Sequence, residues 1–590
     1  MVWHAHMLNP RAYLEDCMLA GLRALWHTGM PWVAVNTAID NKFNYIVSDD
    51  VKADWVARTD HSWDNQDDSM IKSITCPLCE VPVEIPWTTS GLNEHDTPGR
   101  EPGLVGTGYG DGNFMFMCPG CDVILDKKVL SVGKFVKDTE ALMGKGRPMP
   151  GTVLDPVSGM PEVIPISSAR SFPRTFPNRM HQQLLRSQVL DLVNPRVTAR
   201  PDMDIVRSKI EAVLKSNATV KFLDGVSGLG RYRLHPKAGI AVRKMMARYW
   251  ENFSPFALDL GGAVLRQGTF IEKMVKIDWL HSPSAAATMS RLLTKYQRFF
   301  GIMATNPKKT AVPTLDVDLA WHTHQLSPPS YYAYSVHQTN KFIDHDDKIE
   351  EGELNAAFEW TSKTYQEKYG EVYSECTCWY CETIRTTHIS SVGKLLGASK
   401  NEKVAENFHS SGAASLCPPD NSAHISSHSA VKYAEGTTDT GRRRVRAHLA
   451  AAYQARLDDQ YAKAKRRAEK KGRKIPPKDQ YYDHWGYSYY SYGPYMYPLW
   501  FTPGLYYMWP PGYMGGCGAA GAWGACAAGS CGGGVAAGAC GGPGGCGAGD
   551  GVGGCGSGGG CGGGGGGCGG GGGGCGGGGG GGGCGGGGGS

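Results

Sequence analysis

The feature that most constrains the fold of this chain is a pair of matching C-P-x-C turns. The first contains Cys76 and Cys79, and the second contains Cys118 and Cys121. Each turn directs two sulfurs at one point, so together they predict a tetrahedral thiolate site for zinc, flanked by strands as in a zinc ribbon. The alternative is four unrelated thiols. Because four cysteine ligands leave no coordination position open, we expect a structural zinc ion.

A second cysteine cluster contains Cys376, Cys378 and Cys381. It offers three thiols for a metal ion, which either His388 or a distant residue would complete. The alternative is a group of buried free cysteines beside aromatic rings, since a free cysteine behaves as a small apolar residue. A helical stretch precedes the cluster, so we expect it to follow a helix end.

Two segments separated by 318 residues match each other, which indicates two copies of one unit. The upstream helical region of the second copy has no equivalent before residue 3, so we expect the first unit to be truncated at its N-terminus. Each copy is predicted to form a helix, an Asn/Ser-Pro corner and a second helix. In each corner the Asn or Ser side chain should cap the second helix, and the proline should occupy its first position. The matching positions include Trp3, His4, His6 and Pro10 in the first segment and Trp321, His322, His324 and Pro328 in the second.

The paired histidines do not predict a shared metal ion, because positions i and i+2 of a helix point about 200° apart. His322 follows Asp318 by four residues, which favours a structural pair on one helix face. The alternative is a non-haem iron oxygenase with two histidines and a carboxylate, since His345 and Asp347 form an H-x-D pattern. The polar stretch 344–353 instead predicts a solvated loop, and the regular strands of such an enzyme are not apparent.

The C-terminal part of the chain is low in complexity. Residues 515–590 hold 48 of the 83 glycines and 10 of the 19 cysteines, and we expect no fixed structure there because so little apolar surface can be buried. Residues 441–478 predict a basic helix with little apolar face. It is either a solvated spacer or a nuclear-import or nucleic-acid patch, and the Tyr-rich stretch that follows could stack on RNA.

Several of these motifs resemble the glycine-rich domain-containing protein family of plants and fungi. The resemblance covers about residues 1–390 and implies no established reaction. Some fungal relatives are labelled as 2-oxoglutarate-dependent sulfonate dioxygenases, so an Fe(II) enzyme of that kind is the alternative that the resemblance implies. Residues 317–328 resemble the family signature. Residues 3–10, together with 14–17, resemble the first signature of the fungal branch. Residues 266–270 and 376–381 also resemble segments of the family.

We therefore predict a mainly α protein with two related helical units, an inserted small β zinc ribbon and a disordered Gly/Cys-rich tail. We expect a zinc-containing scaffold that binds protein partners, with RNA binding through 442–513 as an alternative, self-association through the tail and no membrane contact. The absence of a signal peptide and the metal-type cysteine pattern predict the cytoplasm or nucleus. The predicted parts are a first helical unit at 1–70, a zinc ribbon at 71–140, a linker at 141–170, a second helical unit at 171–395, a linker at 396–440, a basic helix at 441–478, a Tyr-rich segment at 479–514 and the tail at 515–590.

Overall fold

Helices dominate the structure, so the mainly α prediction is confirmed. The tail predicted at 515–590 lies outside the described residues, as does most of 479–514. The computed structural model describes residues 1–478 and 487–488, apart from 43, 90–105, 112, 163–171, 195, 197, 199, 251, 284, 347–348, 388, 390–398, 418–421, 428–429 and 433–439.

Most of the chain is built from α-helices joined by short turns. Short 3-10 turns lie at Asn65–Asp67, Pro173–Thr175, Asp191–Val193, Trp279–His281 and Ala413–Leu416, and a π-helical turn spans His181–Leu185. The α-helices are α1 (Val2–Met7), α2 (Pro10–Ala20), α3 (Arg23–Thr28), α4 (Trp32–Thr37), α5 (Asp49–Thr59), α6 (Lys127–Lys145), α7 (Phe176–Met180), α8 (Arg186–Leu190), α9 (Met203–Lys215), α10 (Asn217–Asp224), α11 (Pro236–Ala247), α12 (Leu260–Ile277), α13 (Ala285–Thr305), α14 (Leu315–Gln325), α15 (Pro328–Thr339), α16 (Glu351–Tyr369), α17 (Trp379–Thr387), α18 (Lys400–Ser410) and α19 (Thr440–Lys470).

The described strands are short and form three small sheets. Two sheets are antiparallel hairpins: β1 (Ile71–Thr75) pairs with β2 (Pro82–Pro86), and β3 (Met115–Met117) pairs with β4 (Ile124–Asp126). Each hairpin carries one of the two C-P-x-C turns between its strands. The third sheet is parallel and contains β5 (Ile349–Glu350), β6 (Ala430–Lys432) and β7 (Tyr487–Ser488).

The two matching segments form the predicted helix, corner and helix, with nearly the same backbone geometry. At the first corner, Asn9 has a φ of −119° and a ψ of 71°. At the second corner, Ser327 has a φ of −120° and a ψ of 74°. Neither side chain caps the following helix, and Asn9 instead donates to the Ala5 carbonyl at 3.0 Å. The expected side-chain cap is therefore wrong, whereas the proline at the first helical position is present in both corners.

A tyrosine hydroxyl ties each corner to the chain that follows it. In the second segment, Trp321 Nε1 donates to the Tyr331 hydroxyl at 2.9 Å, and this hydroxyl donates to the Ile343 carbonyl at 3.0 Å. In the first segment, Trp3, Tyr13 and Leu25 make the same two bonds at 3.1 and 3.0 Å, with every position shifted by 318 residues. Both corners are thus held by one interior hydroxyl that bridges two groups.

The first segment packs against parts of the chain that are distant in sequence. Leu8 and Tyr13 share an apolar cluster with Leu326, at the corner of the second segment. Buried Glu15 accepts from the backbone N–H of Gly151 at 2.6 Å and pairs with Arg248 at 2.9 Å. The two predicted helical units therefore share a buried interface, and the boundaries between them stay a prediction.

The two stretches predicted as linkers contain segments that are buried in the protein. Within 141–170, α6 continues to Lys145 and the backbone then enters the core, where Met149 and Thr152 are fully buried. Within 396–440, helix α18 is followed by the stretch 422–427, in which every residue is buried. Small polar residues made these stretches resemble solvated linkers. Where the structure describes them, such residues find partners inside the protein: the Thr152 hydroxyl donates to the Met149 carbonyl at 2.7 Å, and the Ser426 hydroxyl donates to the Asp318 carboxylate at 2.6 Å.

The predicted basic helix is present as α19, but it is not a solvated spacer. Leu457, Ala464 and Ala468 are buried, and the Tyr461 ring meets the edge of Trp379 at 5.6 Å. These four positions on α19 are spaced by three or four residues and therefore lie on one face. Two small alanines allow α19 to approach α17 closely, and Arg467 extends that contact by donating to the Thr386 carbonyl at 2.7 Å.

No described helix is both long enough and apolar enough to cross a membrane.

Replacing Tyr331 by Phe should lower the free energy of unfolding by about 1–3 kcal/mol, because it removes the buried hydroxyl that bridges Trp321 and Ile343. Tyr13→Phe should act in the same direction through the matching bonds. The control is Tyr332→Phe, whose ring packs on Phe342 and should keep that contact. Urea unfolding followed by fluorescence measures the effect, and equal stability of the wild type and all three variants would contradict the role of the hydroxyls.

Candidate metal centres

The four cysteines of the two C-P-x-C turns converge, as the sequence predicted. The sulfur of Cys76 lies 3.8 Å from that of Cys121, and the sulfur of Cys79 lies 3.5 Å from that of Cys118. All four sulfurs lie within 4.8 Å of one another. Sulfurs bound to zinc at about 2.3 Å in a tetrahedron lie about 3.8 Å apart, so this group matches the spacing of a zinc site.

The backbone of the two turns explains why they aim their sulfurs alike. The N–H of the first cysteine in each turn bonds to a carbonyl five residues ahead: Cys76 to Val81 at 3.0 Å and Cys118 to Val123 at 2.9 Å. The residue after each second cysteine, Glu80 or Asp122, adopts a positive φ of 60° or 56°. This left-handed residue reverses the chain sharply enough for both sulfurs to face the same side.

The thiols of this group differ in acidity. Burial raises the pKa of the Cys76 thiol to about 12. Burial also acts to raise the pKa of Cys118, but N–H groups of Gly120 and Cys121 and the neighbouring thiols outweigh it and lower that pKa to about 7. A bound cation would favour thiolates at all four positions, because metal ligation requires deprotonated sulfur.

The second cluster gains its fourth donor from a distant residue, His424. Cys376, Cys378, Cys381 and His424 are all buried, and their donor atoms lie within 4.8 Å of one another. The Nδ1 atom of His424 lies 3.0 Å from the Cys381 sulfur and 3.4 Å from the Cys378 sulfur. His388, the other predicted donor, lies outside the described residues. Three thiols and one imidazole form a complete tetrahedral donor set for zinc.

Sequence reasoning missed His424 because it lies in a stretch that was predicted to be a linker. Its neighbour Ile425 forms an isolated antiparallel β-bridge with Thr314. In this bridge the His424 carbonyl accepts from the Leu315 N–H at 2.9 Å. Ser426 completes the pair by donating its N–H to the Pro313 carbonyl at 2.9 Å. No local sequence pattern distinguishes this histidine, so only the long-range pairing brings it to the cysteines.

A buried arginine supports the loop that carries these cysteines. Arg385 is 1% exposed and donates to the carbonyls of Ser374 and Cys376 at 2.6 and 2.8 Å. Glu382 pairs with this guanidinium at 2.8 Å and with His409 at 3.2 Å. The expectation that the cysteines follow a helix end is confirmed, because α16 ends at Tyr369, before the first of them. The next helix, α17, begins inside the cluster at Trp379.

The signature histidines separate in space, as their spacing on a helix requires. His322 Nε2 lies 3.4 Å from Asp318 Oδ1, which is the predicted pair on one face of α14. His324 points elsewhere and meets the Tyr296 hydroxyl at 3.0 Å. In the first segment, His6 pairs with Asp16 at 2.9 Å, while burial lowers the pKa of His4.

His345 joins the pair formed by Asp318 and His322, and the three residues form a third convergent group. The expectation of a solvated loop over 344–353 is therefore wrong for His345, which is 3% exposed. The aromatic ring of Trp321 packs against it at 4.9 Å and excludes water from one side. Asp347, the other residue of the H-x-D pattern, lies outside the described residues.

The comparisons with known proteins agree on one family. The family model described as glycine-rich domain-containing protein-like matches residues 227–333. Glycine-rich domain-containing protein 1 of Arabidopsis thaliana is 31% identical over 123 residues, and protein 2 of that name and organism is 58% identical over 93 residues. The resemblance to the glycine-rich domain-containing protein family is confirmed.

The matched stretches cover 20% and 14% of this chain, and 14% and 12% of the two Arabidopsis relatives. The region that matches the glycine-rich domain-containing family model includes α14 with Asp318 and His322, but neither cysteine cluster. No solved structure matches the chain. Membership of the fungal branch stays a prediction.

The two cysteine groups should bind about two zinc ions per chain in protein purified without added metal. Cys76→Ser should remove one ion and Cys378→Ser the other, because each variant breaks a different set of four donors. Elemental analysis by mass spectrometry gives the metal content. Cys17→Ala is the control, since Cys17 is a buried cysteine outside both groups. A wild-type content near zero, or variants that keep both ions, would contradict this assignment.

Proposed function

We propose that this protein is a zinc-containing scaffold of the glycine-rich domain-containing family, which acts in the cytoplasm or nucleus by binding other proteins. The observation that carries the proposal is the presence of two complete sets of four soft donors, one of four thiols and one of three thiols with an imidazole. Such sets suit zinc and leave no coordination position for a substrate. Zinc bound to them has a structural role, and reduced cysteines require a reducing compartment.

The second zinc set joins parts of the chain that are far apart in sequence. His424 lies 43 residues from Cys381, and the stretch around it pairs with the start of α14. A metal ion bound there would fasten the stretch 422–427 to α17 and thereby to the main core. Because such binding energy adds to the folding energy, metal loss should loosen these segments first.

The hairpin β3–β4 offers a contact surface for a protein partner. Met117 and Ile124 are directly paired across the two strands, and Met115 lies on the same face two residues earlier. Their side chains are 53% (Met115), 62% (Met117) and 42% (Ile124) exposed. Three neighbouring apolar side chains on a zinc-braced hairpin are typical of the central part of a protein interface, where methionine is enriched.

Hydrogen exchange tests whether the metal sites are structural. Cys378→Ser should increase amide exchange within 374–387 and 422–427, whereas Cys118→Ser should increase it within 71–89 and 113–126, because each variant releases only the segments that its own zinc joins. Each variant serves as the control for the other. Unchanged exchange in both variants, with zinc shown to be lost, would contradict a structural role.

Affinity capture from a cell extract tests the contact surface. The triple variant Met115→Asp, Met117→Asp and Ile124→Asp should lose partners that the wild type retains, because charged groups disfavour burial in an interface. Val33→Asp is the matched control, since Val33 is an 83% exposed apolar residue on α4. The zinc content of each variant verifies its fold. The same partners at the same abundance in all three samples would contradict the proposed surface.

A further inference from the structure

The third convergent group differs from the two cysteine sets in both chemistry and setting. Asp318 and His322 lie one turn apart on α14, and His345 reaches them from the stretch that follows α15. Asp318 Oδ1 lies 3.4 Å from the Nε2 atoms of both histidines, and these two nitrogens are 3.1 Å apart. All three side chains are at most 4% exposed.

The two contacts to Asp318 fit ligands of one metal ion better than hydrogen bonds, whereas the two histidine nitrogens, 3.1 Å apart, are within hydrogen-bond distance of each other. A charge-assisted N–H···O bond is about 2.7–2.9 Å long, so both contacts to Asp318 Oδ1 are too long by about half an ångström. Ligand atoms about 2.1 Å from one ion lie about 3.4 Å apart in a tetrahedron and about 3.0 Å apart in an octahedron. The observed triangle, with edges of 3.1–3.4 Å, falls within that range.

Neighbouring groups hold each of the three side chains in place. Ser426 donates its hydroxyl to the second carboxylate oxygen of Asp318 at 2.6 Å. The Phe270 ring lies 4.5 Å from the ring of His322. The bond from Tyr331 to the Ile343 carbonyl fixes the chain two residues before His345. Ligands that are oriented by such surroundings bind metal more tightly, because less order is lost on binding.

We propose that Asp318, His322 and His345 bind one divalent first-row transition-metal ion. Two imidazoles and one carboxylate suit Fe(II), Mn(II), Co(II) or Zn(II), whereas Mg(II) and Ca(II) prefer oxygen ligands alone. This ion is additional to the two zinc ions of the scaffold. It also has only three protein ligands, so its coordination shell is incomplete without a further group.

A cavity supplies the room for that further group. Its volume is about 240 Å³, and its lining includes Asp318 and His345, six cationic side chains and the further acids Asp344, Asp346 and Glu353. The polar groups beside the ligands can hold water, and a small anion with oxygen donors is favoured because the cations of the lining outnumber its carboxylates. The ion therefore has at least one exchangeable coordination position that faces this cavity, which neither cysteine set provides.

Cobalt binding to the full chain tests the proposal. With both cysteine sets already filled by zinc, one further equivalent of Co(II) should bind and produce visible d–d bands without the near-ultraviolet charge-transfer band of a cobalt thiolate. Asp318→Asn and His345→Ala should each weaken this binding at least 100-fold, and Ser426→Ala should weaken it about 10- to 100-fold. His324→Gln, on the same helix but outside the group, is the control and should bind cobalt as the wild type does.

A second measurement needs no variant and so does not depend on the variants folding. Electron spin-echo modulation of Mn(II) bound to the wild-type chain should contain the couplings of imidazole nitrogens. Acetate should shift the cobalt spectrum by entering the open position. Absence of the extra equivalent, its retention in both ligand variants, or a bound ion without imidazole couplings would overturn the site. A cobalt spectrum that acetate leaves unchanged would overturn the open position.

Discussion

The structure depends on one short pairing, in which the stretch 422–427 lies beside the start of helix α14. Two backbone bonds form the antiparallel bridge between Thr314 and Ile425: one joins Leu315 to His424 and the other joins Ser426 to Pro313. Side chains two residues apart in an extended chain point to the same side. One stretch therefore supplies His424 to the cysteines around α17 and Ser426 to Asp318 on α14.

This arrangement links two groups of metal donors of different chemistry through three consecutive residues. The thiol-rich group with His424 is closed and is suited to fastening the chain. The group around Asp318 is open on one side and adjoins a cavity. Because His424 and Ser426 belong to the same short backbone segment, the order of the thiol-rich group and the position of the Asp318 carboxylate depend on each other.

The parts of the fold that sequence predicted are those governed by local rules. The corners at Pro10 and Pro328, the helices beside them and the two C-P-x-C turns each follow from a few neighbouring residues. The packing of α19 was not predicted, since its apolar face consists of two alanines, one leucine and two tyrosines among many charges. Alanine carries little hydrophobic signal, yet it allows the close helix approach on which this contact depends.

The sequence by itself determined that each C-P-x-C turn aims two sulfurs to one side and that Asp318 and His322 share a helix face. Both follow from fixed local geometry, because tight turns and helical spacing place such residues together whatever surrounds them. Only the tertiary structure decided that His424 completes the second cluster and that His345 joins Asp318. These contacts span 43 and 27 residues of sequence, respectively, and they depend on which segments the core brings together, which no local pattern encodes.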